Sequence, residues 1–379
     1  MLFLLAAAAV LFGLQIPLPH FFGAIPSDLL AGAAVVALMV CPATDEPRRR
    51  VDPVALLAVG GYVGWAALSA AGHRCGYARV VGVADLAGLL WMAAAYARRE
   101  LILRALVAGA ALACLVGLLG SVLMLLGHLT PLSSLRGGDL GLPWRPKGLC
   151  VTTNALAALA LVPTLLVFRD CTLTGRWRRP LQVLFAVTFA CSLSRSLLAL
   201  ALGLLLSSQV KRTWKGIGVA TLLLFAFLSV RLDLYRDARG LVVATTPSLR
   251  VRMNTAAWHS LVQHPWLGTG PGSLTAPVHA PRPTDDLTPM SAHLTWLDVA
   301  ATLGLPALLA FGLIWVRALS ASPRDEIDRL LLIGLYAILF DSLTVDVENF
   351  RHLWLLLGLR LRKSLLFCCR WRWAGLAGS

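Results

Sequence analysis

Charged residues are scarce in this chain. Asp, Glu, Lys and Arg make up 14% of its 379 residues, whereas 58% are hydrophobic. A soluble globular protein is usually about a quarter charged, so the composition argues against a soluble enzyme. The same excess of apolar residues excludes an intrinsically disordered chain.

Metal-type cysteine patterns are also lacking. None of the eight cysteines forms a Cys-x-x-Cys pair, so neither a zinc nor a redox site is predicted. The sequence reveals no acidic cluster that would hold a metal, and no cofactor is expected. The net charge of +15 is divided among short loops, and nucleic acid is therefore not an expected partner.

Long apolar runs are what the sequence does contain. Because a bilayer core needs about 20 apolar residues per helix, the runs predict an all-α, polytopic helical membrane protein with about 12 transmembrane helices. The predicted spans are 1–22, 28–40, 54–71, 80–96, 101–126, 150–168, 181–193, 196–208, 216–230, 295–316, 330–344 and 353–367.

Basic residues favour alternate loops between these spans. With the N-terminus in the cytoplasm, 21 Lys and Arg residues fall inside and 13 fall outside, as the positive-inside rule requires. Both termini are then cytoplasmic. Two outer loops, 127–149 and 231–292, are nevertheless rich in arginine. Arginines in outer loops do not help the protein to insert into the membrane, so their presence predicts a role other than setting the topology.

The outer loop 231–292 is far longer than a simple connector. Pro247-Ser248 predicts the start of a helix and His264-Pro265 its end, with Arg252 and His259 on one face. The glycines that follow predict a turn rather than a phosphate loop, because no strand precedes them and no Lys-Ser/Thr follows.

Four regions follow from the spans and loops. They are N-terminal transmembrane helices over 1–140, central helices with an arginine-bearing outer loop over 141–230, the large outer loop over 231–292, and C-terminal helices with a basic tail over 293–379.

The stretch 252–314 resembles the signature region of the O-antigen ligase and polymerase family. It runs RMNTAAWHSLVQHPWLGTGPGSL and later SAHLTWLDVAATLGLPALLAFGLI. The family has an Arg opening a helix, a Trp, a His-Pro-x-x-Gly-x-Gly turn and a His at the head of a span. The matching positions are Arg252, Trp258, His264, Pro265, Gly268, Gly270, Gly272, His293, Gly304 and Leu305.

Three shorter stretches resemble the family in the same order. They are RPKGLCVTTNALAALAL, SLSRSLLALALGLLL and ENFRHLWLLLGL, and the resemblance extends over residues 145–359. The positions that they supply are Arg145, Gly148, Asn154, Ser194, Arg195, Arg351, Trp354 and Gly358.

The resemblance implies an integral-membrane glycosyltransferase with one large helical periplasmic loop. Such enzymes move a glycan from undecaprenyl pyrophosphate to an acceptor hydroxyl at the periplasmic face of the bacterial inner membrane. The expected partners are this donor, the lipid A core or another glycan as acceptor, and membrane lipid. A polymerase of this family often has a second outer loop of comparable size. The loop 127–149 is shorter than 231–292, and this favours a ligase over a polymerase. A transporter or flippase for a lipid-linked glycan, or a non-enzymatic scaffold, are alternatives from other classes.

Arginine suits the leaving pyrophosphate, because its planar fork binds phosphate in bidentate fashion and stays protonated. The expected clamp comprises Arg145, Arg195, Arg250 and Arg252, with Lys147 as an additional cation. No metal is needed, and inversion at the anomeric carbon would follow from a single displacement.

The acceptor hydroxyl must lose a proton. His293 is the expected base or orienting group, because the ordinary pKa of imidazole is about 6.5. Together with Arg252 it forms the predicted catalytic pair. Glu348 and Asp346, near Arg351, provide an alternative base. The remaining candidates are His259 and Asn154.

Overall fold

The computed structural model describes residues 2–11, 26–40, 51–95, 98–127, 146, 148, 150, 152–169, 175–192, 194, 216, 247–277, 287–289, 292, 294–343 and 346–362. Its elements are α1 (Leu2–Val10), α2 (Pro26–Val40), α3 (Pro53–His73), α4 (Tyr77–Ala95), α5 (Arg99–Leu125), α6 (Thr153–Phe168), α7 (Arg178–Ser192), α8 (Pro247–Gln263), β1 (Thr275–Pro277), β2 (Leu287–Pro289), α9 (Thr295–Leu303), α10 (Leu305–Ser320), α11 (Glu326–Asp341) and α12 (Arg351–Arg360).

The predicted helical fold is confirmed for the described part of the chain, where β1 and β2 form one short antiparallel pair. Within that part, α3, α4 and α5 are long and apolar enough to cross a membrane, and α6 and α10 are shorter apolar helices. The predicted span 196–208 lies outside the described residues, as does 216–230 apart from its first residue.

The start and end of α3 follow from local chemistry. Asp52 caps the helix, because its Oδ1 accepts a hydrogen bond from the backbone N–H of Val54 at 2.9 Å. Pro53 occupies the first helical position, where its missing N–H costs nothing. The helix ends at Arg74, which adopts a left-handed conformation with φ of 52°.

The prediction of one continuous span over 295–316 is wrong, because the chain breaks at Gly304 between α9 and α10. Gly304 has φ of 89°, a conformation that favours glycine. A side chain there would also collide with the carbonyl of Trp266. The break is therefore the place where the turn after α8 enters the bundle.

The described loops gather at two ends of the bundle, and α3, α4, α10, α11 and α12 run between them. We name them the Asp328 end and the Glu348 end. The Asp328 end contains Asp52, Arg99, Arg169, Arg317, Arg324, Asp325, Glu326, Asp328 and Arg360. The Glu348 end contains Tyr62, Arg79, Ala292, Asp298, Asp346, Glu348 and the turn 264–270.

An aromatic cluster around Tyr62 packs in the core next to the other residues of the Glu348 end. Tyr62 of α3 lies 5.6 Å from the Phe311 ring of α10 and 5.8 Å from the Trp354 ring of α12, between centroids. Trp296 of α9 lies 5.3 Å from Phe311. Tyr62, Phe311 and Trp354 are buried. The cluster therefore packs four helices against one another and supports the residues of the Glu348 end.

Candidate functional site

The glycine-rich stretch after α8 forms a turn, as the sequence predicts. Gly268, Gly270 and Gly272 have φ values of 65°, 101° and 71°, which explains the need for glycine. Two backbone N–H groups of the turn, on Thr269 and Gly270, donate to the carbonyls of Ala301 and Thr302 at 3.0 Å each. The turn is therefore held against the last residues of α9.

Helix α8 is observed over Pro247–Gln263, which confirms the predicted helix of the outer loop. Arg250 and Arg252 occupy its first two turns, and their side chains lie outside the described part. Ala257 is buried and packs with Ala292 and Ala301. Predicted residue His259 lies on the exposed face of the helix.

The segment that enters α9 is pinned to neighbouring elements. The backbone N–H of Ala292 donates to Asp298 Oδ1 at 2.6 Å, and both residues are buried. The Thr295 N–H donates to the Ser342 carbonyl at 3.0 Å, and Thr295 Oγ1 accepts from the Val347 N–H at 2.9 Å. Position 293 itself lies outside the described residues, but the chain just before and after it is fixed by these bonds.

Three carboxylates come together beside this segment. Oxygens of Asp298, Asp346 and Glu348 lie within 4.8 Å of one another. Arg79 forms an ion pair with Glu348 Oε2 at 3.1 Å, and the buried Tyr62 hydroxyl donates to Glu348 Oε1. We call these three carboxylates the acidic cluster.

The acidic cluster corrects the sequence-based expectation that no such group exists. Asp346 and Glu348 are neighbours in the chain, but Asp298 is distant from both, so spacing alone could not reveal the cluster. Their number and proximity suit a hard cation such as Mg²⁺ or Ca²⁺, but protein donors already occupy many of the oxygens. Both Asp346 oxygens accept, from the Glu348 N–H at 3.2 Å and the Asn349 amide at 3.0 Å. The cluster is therefore built as a hydrogen-bonded network.

Negative charge accumulates in this network. Burial, and then the charge of Glu348, raise the pKa of Asp346 to about 6. Arg79 counteracts this by favouring the ionised form. Asp346 can therefore exchange a proton near neutral pH, which is the property required of a general base.

Two candidate stretches that are distant in sequence meet at the start of α6. Ser194 Oγ donates to Asn154 Oδ1 at 3.0 Å. The cap of α6 is Thr152, whose Oγ1 accepts from the Ala155 N–H at 3.1 Å. Asn154 is therefore used to join α6 to the chain after α7.

The predicted neighbourhood of Glu348 is wrong in one respect. Arg351, expected beside Glu348, instead forms two hydrogen bonds of 2.6 Å with Asp28 of α2. The cation that pairs with Glu348 is Arg79. Arg351 thus links α12 to α2, because its Nε and Nη2 both donate to the Asp28 carboxylate.

Predicted clamp residues Arg145, Lys147 and Arg195 lie outside the described residues. Two residues of the site, Arg79 and Tyr62, were not predicted from the sequence. Arg79 could have been noticed as a cation on the outer side, between two spans. The sequence does not mark Tyr62 as a site residue, because single tyrosines are common in the apolar runs that form buried helices.

Residues 180–312 match the family model described as O-antigen ligase. This match confirms the resemblance inferred from the motifs, and it covers α8, the glycine turn and Asp298. Tyr62, Arg79 and Glu348 lie outside the matched residues. A search of curated proteins finds no match.

Proposed function

We propose that this chain is a ligase-type membrane glycosyltransferase, because residues 180–312 match the O-antigen ligase family model. The reaction moves a glycan from undecaprenyl pyrophosphate to an acceptor hydroxyl, with the lipid A core as the acceptor class. We place the reaction at the Glu348 end, on the periplasmic face of the bacterial inner membrane, with both termini in the cytoplasm.

The observation that carries the proposal is the convergence of motifs at one end of the bundle. Ala292, which precedes His293, packs against Ala257 of α8, the helix that bears Arg252. The acidic cluster adjoins the same segment through Asp298, and the glycine turn contacts the other end of α9 at Ala301 and Thr302. The helix that carries Arg252, the proposed phosphate ligand, therefore adjoins the segment that carries His293, the proposed proton acceptor, as a transfer reaction requires.

The donor requires positive charge. As the bond from the anomeric carbon to the diphosphate oxygen breaks, the leaving group gains negative charge, and stabilising that charge is usually the largest catalytic contribution. We assign this role to Arg252 and Arg250 of α8, with Arg145, Arg195 and Lys147 from the other outer segments. Their guanidinium and ammonium groups replace a metal in this scheme.

The acceptor requires a base. The acceptor oxygen attacks the anomeric carbon from the face opposite the diphosphate, so the configuration inverts, and its proton passes to the base. The acidic cluster would repel a diphosphate, so we assign it to the acceptor side. His293 is the proposed base, adjoining a segment that Asp298 fixes through Ala292.

Glu348 is not our second candidate for the base, because the Arg79 guanidinium and the Tyr62 hydroxyl already occupy its two oxygens. Asp346, with a pKa of about 6, is the better second candidate. Glu348 then acts as the anchor that holds Arg79 and Tyr62 around the site.

The test is glycan transfer by purified protein in proteoliposomes, with a polyprenyl-pyrophosphate glycan and a lipid A core acceptor. His293→Ala and Arg252→Ala should each lower the transfer rate by about 100-fold or more, at an unchanged amount of folded protein. Gln263→Ala, exposed on the last turn of α8, is the matched control and should retain transfer. Activity should persist in EDTA and without any nucleotide.

The acceptor that becomes labelled separates the related functions. Elongation of a second lipid-linked glycan instead of the lipid A core would make the chain a polymerase. A flippase would move donor between leaflets without forming a new glycosidic bond. A scaffold would tolerate both substitutions. A strict requirement for a divalent metal would overturn the proposed mechanism.

A further inference from the structure

The turn that follows α8 reaches well below the end of α3. The 21 residues of α3 span about 32 Å at 1.5 Å per residue, close to the roughly 30 Å of a bilayer core. Trp65 Nε1 donates to the Trp266 carbonyl at 2.9 Å, and Ser69 Oγ donates to the Leu267 carbonyl at 2.5 Å. Trp65 and Ser69 lie about 12 and 6 Å below the last residue of α3. With α3 crossing the bilayer, the carbonyls of Trp266 and Leu267 therefore lie at the depth of the hydrocarbon, whereas Gly270 lies beside His73 and Cys75 at the end of α3.

Irregular backbone survives at that depth only when protein groups satisfy it. Most of the backbone groups of the turn that have an identified partner are satisfied by other parts of the protein. Besides the two bonds from α3, the Pro265 carbonyl accepts from the Leu305 N–H at 2.8 Å, and the Gly268 N–H donates to the His264 carbonyl at 2.9 Å. The N–H groups of Thr269 and Gly270 are satisfied by the end of α9.

The side chains on the outer surface of this turn are apolar. Trp266 is 68% exposed and Leu267 is 37% exposed. On α8, Trp258 and Val262 are exposed and lie one helical turn apart. We call these four residues the Trp266 patch.

The Trp266 patch continues the outer surface of a membrane-crossing helix. Leu267 Cδ1 lies 3.4 Å from where a side chain on Gly72 of α3 would begin. Leu68, one turn before Gly72, is 55% exposed. Polar residues His259, Gln263 and His264 are exposed beside the patch. An apolar surface bordered by polar groups, with tryptophan between them, is typical of the boundary between acyl chains and headgroups.

We propose that the turn 264–270 is a re-entrant membrane segment, and that the Trp266 patch contacts the acyl chains of bilayer phospholipids near the headgroup boundary. The occupant is bilayer lipid because the patch is continuous with the exposed apolar surface of α3 and lies at acyl-chain depth. This inference does not depend on the proposed transfer reaction.

Photocrosslinking tests the proposal directly. The full chain, with p-benzoylphenylalanine at position 266 or 258, is reconstituted in vesicles of phosphatidylethanolamine and phosphatidylglycerol and irradiated. Adducts are identified by intact-protein mass spectrometry. Leu57, which is 77% exposed on α3, provides the lipid-facing reference. Ser322, exposed in the loop after α10, provides the reference outside the hydrocarbon.

Phospholipid adducts at positions 266 and 258 should match the yield at Leu57 within about twofold and exceed that at Ser322 by about tenfold. Yields as low as at Ser322 would overturn the proposal. Crosslinks to a second copy of the chain, or adducts that form only when polyprenyl phosphate is added, would also overturn it.

A second pair of variants does not rely on an unnatural residue. Trp266→Tyr keeps an amphipathic ring, whereas Trp266→Glu places a charge at hydrocarbon depth. In the same vesicles, the melting temperature should be unchanged for Trp266→Tyr and should fall by several degrees for Trp266→Glu. Equal melting temperatures for the two variants would place the turn in water and contradict the inference.

Discussion

At the Asp328 end, one buried carboxylate is surrounded by three arginines, whereas at the Glu348 end three carboxylates share Arg79 among the described residues. Arg99, Arg324 and Arg360 lie 3.1, 2.7 and 3.6 Å from Asp328. Opposite charges at the first end satisfy one another. Like charges at the second end are gathered at a cost, which is more typical of functional sites than of structural ones.

The titration of exposed and buried acids shows the same contrast. At the Asp328 end, burial of Asp325 is outweighed by the hydrogen bonds and charge of Arg99, which hold its pKa below the usual value. At the Glu348 end, burial and a neighbouring carboxylate raise the pKa of Asp346. We infer that the first end stabilises the bundle and the second end carries chemistry.

The largest expected effect is on stability, from Asp328→Asn. The substitution removes the charge shared by three arginines, of which Arg360 has a fully buried side chain. Breaking a buried pair in this way costs about 3–5 kcal/mol, measured as a loss of melting temperature in detergent.

Asp325→Asn is the matched control for this end. Asp325 also contacts Arg99, but its side chain is 44% exposed, and Asn caps a helix as well as Asp does. The loss should stay below about 1 kcal/mol. Equal losses for the two variants would refute a central role for Asp328.

The next effect is on activity, from Glu348→Gln. The variant keeps an acceptor for Tyr62 but leaves Arg79 without its ionic partner. Glycan transfer should fall by about 100-fold, the scale of a 1 Å misplacement. Glu326→Gln, whose side chain is 50% exposed at the Asp328 end, should transfer at the normal rate. A normal transfer rate in Glu348→Gln would refute the placement of the reaction at the Glu348 end.

A smaller effect concerns pH. The folded state binds the Asp346 proton more tightly than the unfolded state, because its pKa is about 6 instead of about 4. This group therefore destabilises the fold progressively as the pH rises from 4 to 6, and its contribution levels off above 6. In Asp346→Asn, melting temperatures measured across this interval should lose that downward slope. An unchanged slope would show that Asp346 does not titrate there.

The smallest effect is expected from Ser194→Ala. The change removes one hydrogen bond to Asn154 and should cost about 1 kcal/mol in unfolding experiments, without altering transfer. Thr152→Ala, which removes the cap of the same helix, provides a loss of similar size for comparison. Transfer abolished in Ser194→Ala at near-normal stability would extend the site to α6.

Local sequence signals predicted the helices better than the contacts between them. Apolar runs and the Pro247-Ser248 start placed α3 and α8 close to their observed bounds. The break at Gly304 was missed, although a glycine followed by Leu305-Pro306 is a typical helix boundary. Its cause is tertiary, since the Trp266 carbonyl occupies the space beside it.

The acidic cluster could not be predicted, because its groups come from positions that only folding brings together. Glu348 was recognised as a possible base, but its partners Tyr62 and Arg79 lie 286 and 269 residues away. Asp298 follows His293 by five residues, a spacing that does not place two side chains on one face of a helix. The structure instead connects Asp298 to the backbone of Ala292, a contact that side-chain periodicity does not describe.

The contact between the glycine turn and the break at Gly304 limits which segments of the protein can be deleted. The long outer loop is not an appendage that could be excised to leave an intact bundle. Its removal would deprive the carbonyls of Ala301 and Thr302 and the N–H of Leu305 of the hydrogen bonds that the turn now makes with them. A chimeric protein with a different loop would therefore need both a matching turn and a glycine at the position of Gly304.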